Sequence, residues 1–595
     1  MNTMMNHTSD STPTLLTVAA AAATAAAGYA YWKLRWRPSL ETKHPLPSSD
    51  LPLPSGGHWL WGHLGQFGTD FVPSFQRIFV DAADADGRVA YWMGNRPTVS
   101  VTHWQDARAV LSVEHHRRIN AVARHHADHF VGPKNLLALQ GREWKYHRAA
   151  VLKAFSPAAL QQAEGAMRQI LDTVQASVKQ RILDESASSS TNRTPDALVV
   201  EIEAFTKMIT LDIFGLAAFS HHFGCCDTLT VSPIAEAFNT LSMDLARRTD
   251  GNPMHPLNYF YSLPTDANRR NREAQNLLRS FLSQAVRERL EQQPQTVGDD
   301  ERNKNRSKQR MKDLLTHIIE GHEMAKQELQ YNDTVSESTL SDTMMSLIFA
   351  GYDTTSITLA YALFLISQHP EVEANCLEEI QVCGLMNHHD LLYCKAVIYE
   401  TLRLYPSAPQ TMRTLQKPLE LSGGVILPAG TNVVVPIWTI HRQEQNFARP
   451  EEFLPERWVK RKEEDTNAFA AATSSSFWVE READAEVDDN IKDRSRIPAA
   501  NQKAFFAFSM GGRSCAGQKF AWQEATIVLA GLLKEFCFVP SNDDKFVHGN
   551  AYKLHPEKCG PIQHPKGGIP MKISIRGQAA VAPVFSGAQE KTSSG

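Results

Sequence analysis

The stretch Phe508-Ser509-Met510-Gly511-Gly512-Arg513-Ser514-Cys515-Ala516-Gly517 sets an aromatic residue, paired glycines, an arginine and a cysteine directly before an apolar run through Phe520, Ile527, Leu529, Leu532 and Leu533. Apolar residues at that spacing read as a helix. Gly511 and Gly512 permit positive φ and let the backbone come close to something flat or bulky. Cys515 then falls at the helix N-terminus, where the macrodipole and nearby Arg513 favour thiolate over thiol. A thiolate held by a glycine turn beneath an apolar site is a metal ligand or a nucleophile. The plainer reading is a buried structural cysteine.

Working outward, the chain has 595 residues, 42% of them hydrophobic, which is enough for a large core. A net charge of −4 argues against a nucleic-acid partner, which calls for a basic excess. Eight cysteines without regular spacing are not a disulfide framework and read as reduced thiols.

At the N-terminus, residues 1–14 read as a lumenal tail and residues 15–32, an alanine-rich apolar run from Leu15 to Trp32, as a signal anchor of about 18 residues, at the short end of what spans a bilayer. Lys33, Arg35 and Arg37 follow the run and no Lys or Arg precedes it, so the body is expected on the cytosolic side. Residues 33–57 are proline-rich and read as a semi-rigid linker. Val89–Met93 and Thr98–Val101, split by Gly94-Asn95-Arg96-Pro97, read as a β-hairpin. The histidines that follow (His115, His116, His125, His126, His129) fit no single metal-binding face and read as a solvated loop. Residues 185–197 and 291–312 are polar and read as surface connections.

Further on, Trp144 and Arg148 stand one helical turn apart. The longest helical pattern runs from Thr339 to His369, with a capping box at Thr339-Leu340-Ser341-Asp342 and a stop at Pro370. It holds Ala350-Gly351-Tyr352-Asp353-Thr354-Thr355. A charge at its middle would cost ~3 kcal/mol in a bilayer, so a buried central helix is expected rather than a membrane span. A mid-helix glycine costs ~1 kcal/mol against alanine. Followed by an acid and two hydroxyls, Gly351 marks a place where something presses close and protons move. Glu400-Thr401-Leu402-Arg403 closes an amphipathic segment before Pro406; Arg413, strand-like Val433-Val434-Val435 and Phe453-Leu454-Pro455-Glu456-Arg457-Trp458 come next. Residues 459–503 alternate acids and bases around an Ala/Ser run and read as a disordered insertion. Met571–Arg576 reads as a last strand and residues 577–595 as a loose tail.

In their order, these segments resemble the cytochrome P450 family of haem-thiolate monooxygenases. The cysteine loop is similar to that family's FxxGxRxCxG, and residues 144–148, 350–355, 400–403 and 455–458 to its WxxxR, [AG]Gx[DE]T[TS], ExxR and PERF elements, with Trp458 in place of the usual Phe. The resemblance covers residues 58–576. It implies a mainly α fold with a small β domain near the N-terminal part, and haem b (iron protoporphyrin IX) with Cys515 as the iron ligand. Trp144, Arg148, Arg413, Phe508, Arg513 and Gly517 would be cofactor-binding; Thr354 and Asp353 would deliver protons. Glu400, Arg403 and Arg457 would form a buried ionic network supporting the haem side.

The implied reaction inserts one atom of O2 into an apolar small molecule. No GxGxxG turn in a βαβ setting is present, so electrons are expected from another protein, an NADPH-cytochrome P450 reductase on the endoplasmic reticulum membrane, with cytochrome b5 as a second donor. Residues 400–442 resemble fatty-acid and xenobiotic-oxidising microsomal branches, although Ala350 stands where fatty-acid ω-hydroxylases often have Glu. Residues 232–264 would be the substrate-access lid. Two alternatives remain: an O2-independent hydroperoxide isomerase or dehydratase, and a non-catalytic haem sensor. Neither needs the Asp353-Thr354 pair.

Overall fold

The computed structural model describes residues 51–577 except 56–62, 64–70, 94–95, 114–120, 189–196, 251–259, 292–311, 332–334, 386, 462–477, 482–498, 542–555 and 560–561. The anchor and most of the proline-rich linker lie outside these residues, as do His115, His116 and the C-terminal tail after Gly577.

In chain order, β1 (Arg88–Met93) and β2 (Arg96–Val101) pair antiparallel, and helices α1 (Trp104–Ser112), α2 (Ala121–Val131), α3 (Gly141–Lys153) and α4 (Pro157–Ser188) follow. α4 runs through residues 185–188, the first four of the stretch expected to be a polar connection. Next come β3 (Leu198–Glu201), α5 (Ile202–Phe219), α6 (Pro233–Asp250), α7 (Asp266–Glu291), α8 (Leu314–Glu328) and α9 (Glu337–Gln368). The chain continues through α10 (Pro370–Cys383), α11 (Leu392–Leu404), β4 (Thr411–Thr414), β5 (Asn432–Val435), β6 (Val459–Arg461), β7 (Trp478–Glu480) and α12 (Gln518–Glu535). It closes with β8 (Phe536–Pro540), β9 (Pro556–Cys559), β10 (Ile562–Pro565) and β11 (Pro570–Ile575). The fold is mostly helical, as expected.

Helix α9 is the axis of the body. It begins at Ser336, whose hydroxyl accepts the Thr339 N–H at 3.2 Å, one turn before the expected capping box. At ~1.5 Å per residue it is long enough to cross the molecule. Its flanks pack against α5, α7, α11 and α12. Among the described residues it is the one helix long and apolar enough to cross a membrane, yet 78% of its apolar window is buried inside the protein. It is a core helix.

The main sheet has the order β1-β2-β5-β4, with β2 and β5 parallel. It therefore draws strands from both ends of the chain, not from the N-terminal part alone. Val89, Tyr91 and Val434 bury one face against Phe75, Ile78, Phe79 and Trp438. A second sheet, β8-β11-β3, ties the C-terminus to the start of α5.

Two further expectations are corrected. The histidines at 125–129 lie on helix α2, not in a solvated loop. His126 is buried and meets the Tyr261 hydroxyl at 2.8 Å, while His129 stacks on the Tyr261 ring at 3.5 Å. Arg248 covers that ring at 4.0 Å, so a cation and two imidazoles share one phenol between α2, α6 and α7. The segment 459–503 also holds order: β6 and β7 form an antiparallel hairpin with Val459 opposite Glu480 and Arg461 opposite Trp478. Trp478 packs on Tyr393 with ring centres 4.6 Å apart, and Glu480 pairs with Lys395 at 2.6 Å. The Trp458 carbonyl accepts Arg481 N–H at 2.9 Å and the Arg457 carbonyl accepts Ala500 N–H at 3.0 Å.

Candidate active site

The loop before α12 is shaped by its glycines. Gly511 has φ +70°, and a Cβ there would lie 2.1 Å from the Leu111 carbonyl oxygen, so only glycine lets the loop rest on the end of α1. Ser509 also takes a positive φ of 57°. The Cys515 N–H closes the turn on the Phe508 carbonyl at 2.9 Å. Cys515 sits just ahead of the helix, since Gly517 is the N-cap of α12.

Burial pushes the Cys515 thiol up from its ordinary value, while the Gly517 N–H and the Arg148 guanidinium pull the other way. The expected partner Arg513 is engaged elsewhere. It lies 3.8 Å over the Trp144 ring and donates to the Leu139 carbonyl and Gln140 Oε1, each at 3.0 Å. The protein alone therefore favours the thiol, and deprotonation falls to a bound metal, which converts a coordinating thiol outright. The thiol lies deep among protein atoms yet is exposed, so it faces a space inside the fold.

The other expected cofactor residues gather on the same loop. Arg148 donates to Ser514 Oγ at 3.3 Å and lies 5.6 Å from the Trp144 ring. Arg413, fully buried on β4, donates to Ser509 Oγ at 3.1 Å. Phe508 packs on Trp522 at 5.0 Å. One thiol with three guanidinium groups and an indole is a donor set suited to a metal carried by a planar dianion: sulfur for the metal, Arg for carboxylates. The residues present fit haem.

Glu400, Arg403 and Arg457 meet in one fully enclosed ionic cluster. Arg403 grips both Glu400 oxygens at 2.8 and 2.9 Å, and Arg457 Nε reaches Oε1 at 3.1 Å. Trp458, where Phe was usual, donates its indole N–H to Glu400 Oε2 at 2.9 Å. Burial raises the Glu400 pKa, but Arg403 and Arg457 outweigh it and hold the group below the ordinary value. Backbone carbonyls of His441, Pro450 and Glu452 take the remaining Arg403 protons, and those of Ala448 and Arg449 accept from Arg457.

On α9 the expected residues separate. Gly351 faces the Phe214 ring of α5, which a Cβ would meet at 3.0 Å; the close neighbour is a packing residue. Thr354 and Asp353 point about 100° apart around the helix. The Thr354 hydroxyl donates to the Ala350 carbonyl at 2.7 Å, while the Thr354 carbonyl accepts Ser407 and Thr358 hydroxyls at 3.1 and 2.8 Å. Asp353 is buried against Lys207 Nζ at 3.1 Å, with His564 Nε2 at 3.7 Å. Sequence reasoning missed Lys207, Glu203 and His564. A stripe of Glu203, Thr206, Lys207 and Thr210 along the apolar α5 was the available signal, because Thr206 and Thr210 also donate to the Ser356 and Tyr352 carbonyls of α9, each at 2.9 Å.

A family model described as Cytochrome P450 matches residues 52–552. Cytochrome P450 4A7 of Oryctolagus cuniculus is 25% identical over 524 residues, covering 86% of this chain and 87% of that protein. Cytochrome P450 4X1 of Homo sapiens is 24% identical over 442 residues, covering 73% and 75%. Probable cytochrome P450 4p3 of Drosophila melanogaster is 33% identical over 210 residues, covering 34% of each chain. The chain spans 34% to 58% of the length of that protein and of two further relatives, from Drosophila melanogaster and Glycine max. The chain belongs to the cytochrome P450 family.

Proposed function

We propose that the protein is a haem-thiolate monooxygenase that inserts one oxygen atom of O2 into an apolar small molecule. The observation that carries this is the deep but open Cys515 thiol on a loop edged by Arg148, Arg413 and Arg513. When bound there, haem supplies the redox-active iron at which O2 is reduced and one of its oxygen atoms is transferred. The protein's own residues do the rest. Cys515 would hold the metal, and Arg148, Arg413 and Arg513 with Trp144 would hold the carboxylate edge of the macrocycle. The Thr354 hydroxyl passes protons on one face of α9, and Asp353 takes them up from the cavity against another. The acid-and-hydroxyl pair favours proton-consuming chemistry over the O2-independent and sensor readings.

Electrons would come from a separate NADPH-dependent diflavin reductase, with cytochrome b5 as a further donor, both on the endoplasmic reticulum membrane. The apolar run of residues 15–32 followed by Lys33, Arg35 and Arg37 supports a single-pass anchor with the body cytosolic. Fatty acids, sterols and terpenoids are the substrate classes to screen. The test combines haem-loaded protein, reductase, NADPH and isotopically labelled O2 with such a panel. A labelled atom in the product of the panel member that shifts the haem spectrum most supports the reading. Spectral shifts with NADPH turnover but no labelled product would overturn it.

A further inference from the structure

A cavity of about 380 Å3 lies behind α9, bounded by α5, α6, β10 and the end of β3; its charged lining is Glu201, Glu203, Lys207, Asp353 and His564. His564, on β10, turns its two ring nitrogens toward different carboxylates. Nδ1 is 2.6 Å from Glu203 Oε1 and Nε2 is 3.7 Å from Asp353 Oδ2. Lys207 Nζ spans the same two acids, 2.6 Å from Glu203 Oε1 and 3.1 Å from Asp353 Oδ1. Despite that ion pair, Asp353 Oδ1 has no aligned hydrogen bond, so this oxygen is held by charge alone.

The charges reinforce one another. Burial works against the ionised Glu203, but the His564 hydrogen bond and Lys207 outweigh it and hold its carboxyl at about 2. Burial likewise works against the imidazolium, yet Glu203 and Asp353 raise the His564 pKa. Lys207 is raised in the same way by Asp353 and Glu203. Glu201 from β3 and Tyr352 from α9 are the other titratable groups around the ring; α6 contributes Asn239 and Ser242. An imidazolium fixed through one nitrogen and free at the other is the side chain best suited to give and regain a proton near neutrality.

We propose that His564 relays protons from the cavity to Asp353, with Glu203 and Lys207 as positioning residues that orient the ring and the receiving carboxylate. The inference rests on Asp353 carrying protons for the reaction proposed above. In the step, the Nε2–H bond of His564 breaks and an O–H bond forms at Asp353 Oδ2. The neutral ring is reprotonated at Nε2 by cavity water, so each cycle moves one proton from solvent and no electrons. A bridging water or a small rotation of the ring closes the 3.7 Å gap. Glu203, accepting Nδ1–H throughout, keeps the ring oriented and basic.

The first test is spectroscopic, on haem-loaded protein with isotope-labelled histidine. The His564 ring should titrate above the ordinary value of about 6.5, and Glu203→Gln should lower that midpoint. A ring already neutral at pH 6 overturns the relay. The second test measures peroxide released and product formed per NADPH, using the panel member with the largest haem spectral shift. Positioned proton-transfer groups contribute roughly 10²–10⁴-fold, so His564→Gln should lower product per NADPH by roughly tenfold or more and raise the solvent isotope effect. If Asp353→Asn leaves coupling unchanged, the reading of Asp353 fails and the relay with it. If Asp353→Asn uncouples and His564→Gln does not, the relay fails alone. Should His564→Gln lose haem, Glu203→Gln decides instead: the alkaline limb of its product-per-NADPH profile should move to lower pH, and an unmoved limb overturns the proposal.

Discussion

His441 accepts the backbone N–H of Phe506 through Nε2 at 2.9 Å, and so joins the ionic network to the segment that leads into the cysteine loop. Its Nδ1–H goes to the Arg403 carbonyl at 3.2 Å, and its own carbonyl accepts Arg403 Nη1 at 3.0 Å. Burial, with help from the Arg403 charge, lowers its pKa to about 3, so the ring is the neutral acceptor that Phe506 requires. The folded pKa is below the unfolded value of about 6.5. This contribution is therefore complete above pH ~6.5 and lost progressively as pH falls toward 3. His441→Asn should lower the melting temperature at neutral pH and flatten its fall in acid. A melting-temperature series from pH 7 to pH 4 checks both effects.

Glu400→Gln and Arg403→Lys should give protein that fails to fold or to retain haem. Breaking a buried pair costs ~3–5 kcal/mol because the remaining charge is uncompensated, a large part of the ~5–15 kcal/mol that holds a domain together. Trp458→Phe removes only the indole donor to Glu400. Glu400 Oε2 keeps the Arg403 Nε–H at 2.9 Å, so the loss is one hydrogen bond to a charged group, ~1.5–3 kcal/mol, and that variant should fold with haem but melt earlier. Haem content per protein and thermal melts separate the cases. A fully loaded, inactive Glu400→Gln would show that the cluster acts on the chemistry instead.

Cys515→Ser should abolish the thiolate-type absorption band of the reduced carbonyl complex. Survival of that band would mean another residue ligates the iron.

Thr354→Ala should bind haem and substrate normally while diverting reducing equivalents to peroxide. Peroxide per NADPH should rise several-fold, since a positioned proton donor contributes roughly 10²-fold or more. Thr354→Ser should behave as the parent does. Product and peroxide yields per NADPH in the two variants check this.

Glu524 is buried on α12, and burial raises its pKa well above the ordinary value despite a hydrogen bond with Thr355. Between the unfolded pKa and this raised one, the folded protein holds the extra proton, so stability falls as pH rises through that window. Glu524→Gln keeps an uncharged amide there. Its melting temperature should exceed the parent's on the alkaline side and converge with it in acid; parallel curves would show that Glu524 does not titrate.

The parts of the fold legible in the sequence are those whose chemistry is written locally. Gly511, Cys515 and Gly517 lie within seven positions and shape one turn. Glu400 and Arg403 face one another because residues three apart on a helix do. α9 was visible from its length, its apolar content and Pro370. The partners of Asp353 were not, because Lys207 and His564 come from distant elements that only the packed fold brings together. Asp353 and Thr354 are adjacent in sequence, yet helical geometry turns their side chains about 100° apart, toward different partners. The histidines of α2 read as solvated because nothing nearby announces Tyr261 or Arg248. Strands β6 and β7 are three residues each, too short for any periodicity, and their pairing depends on Trp478 finding Tyr393.

The β6–β7 hairpin and the hydrogen bonds behind it bear on how this gene can change. Residues 462–477 connect Arg461 to its strand partner Trp478, while residues 482–498 fall between Arg481 and Ala500, whose N–H groups donate to the adjacent carbonyls of Trp458 and Arg457. Both spans thus start and finish at points already fastened to one another. Closing such a span depends only weakly on its length, at about 0.6 kcal/mol for each doubling. Coding sequence can therefore be gained or lost here over evolutionary time without shifting Cys515 relative to Glu400, and the same two spans are the natural ports for grafting an epitope or a reporter domain.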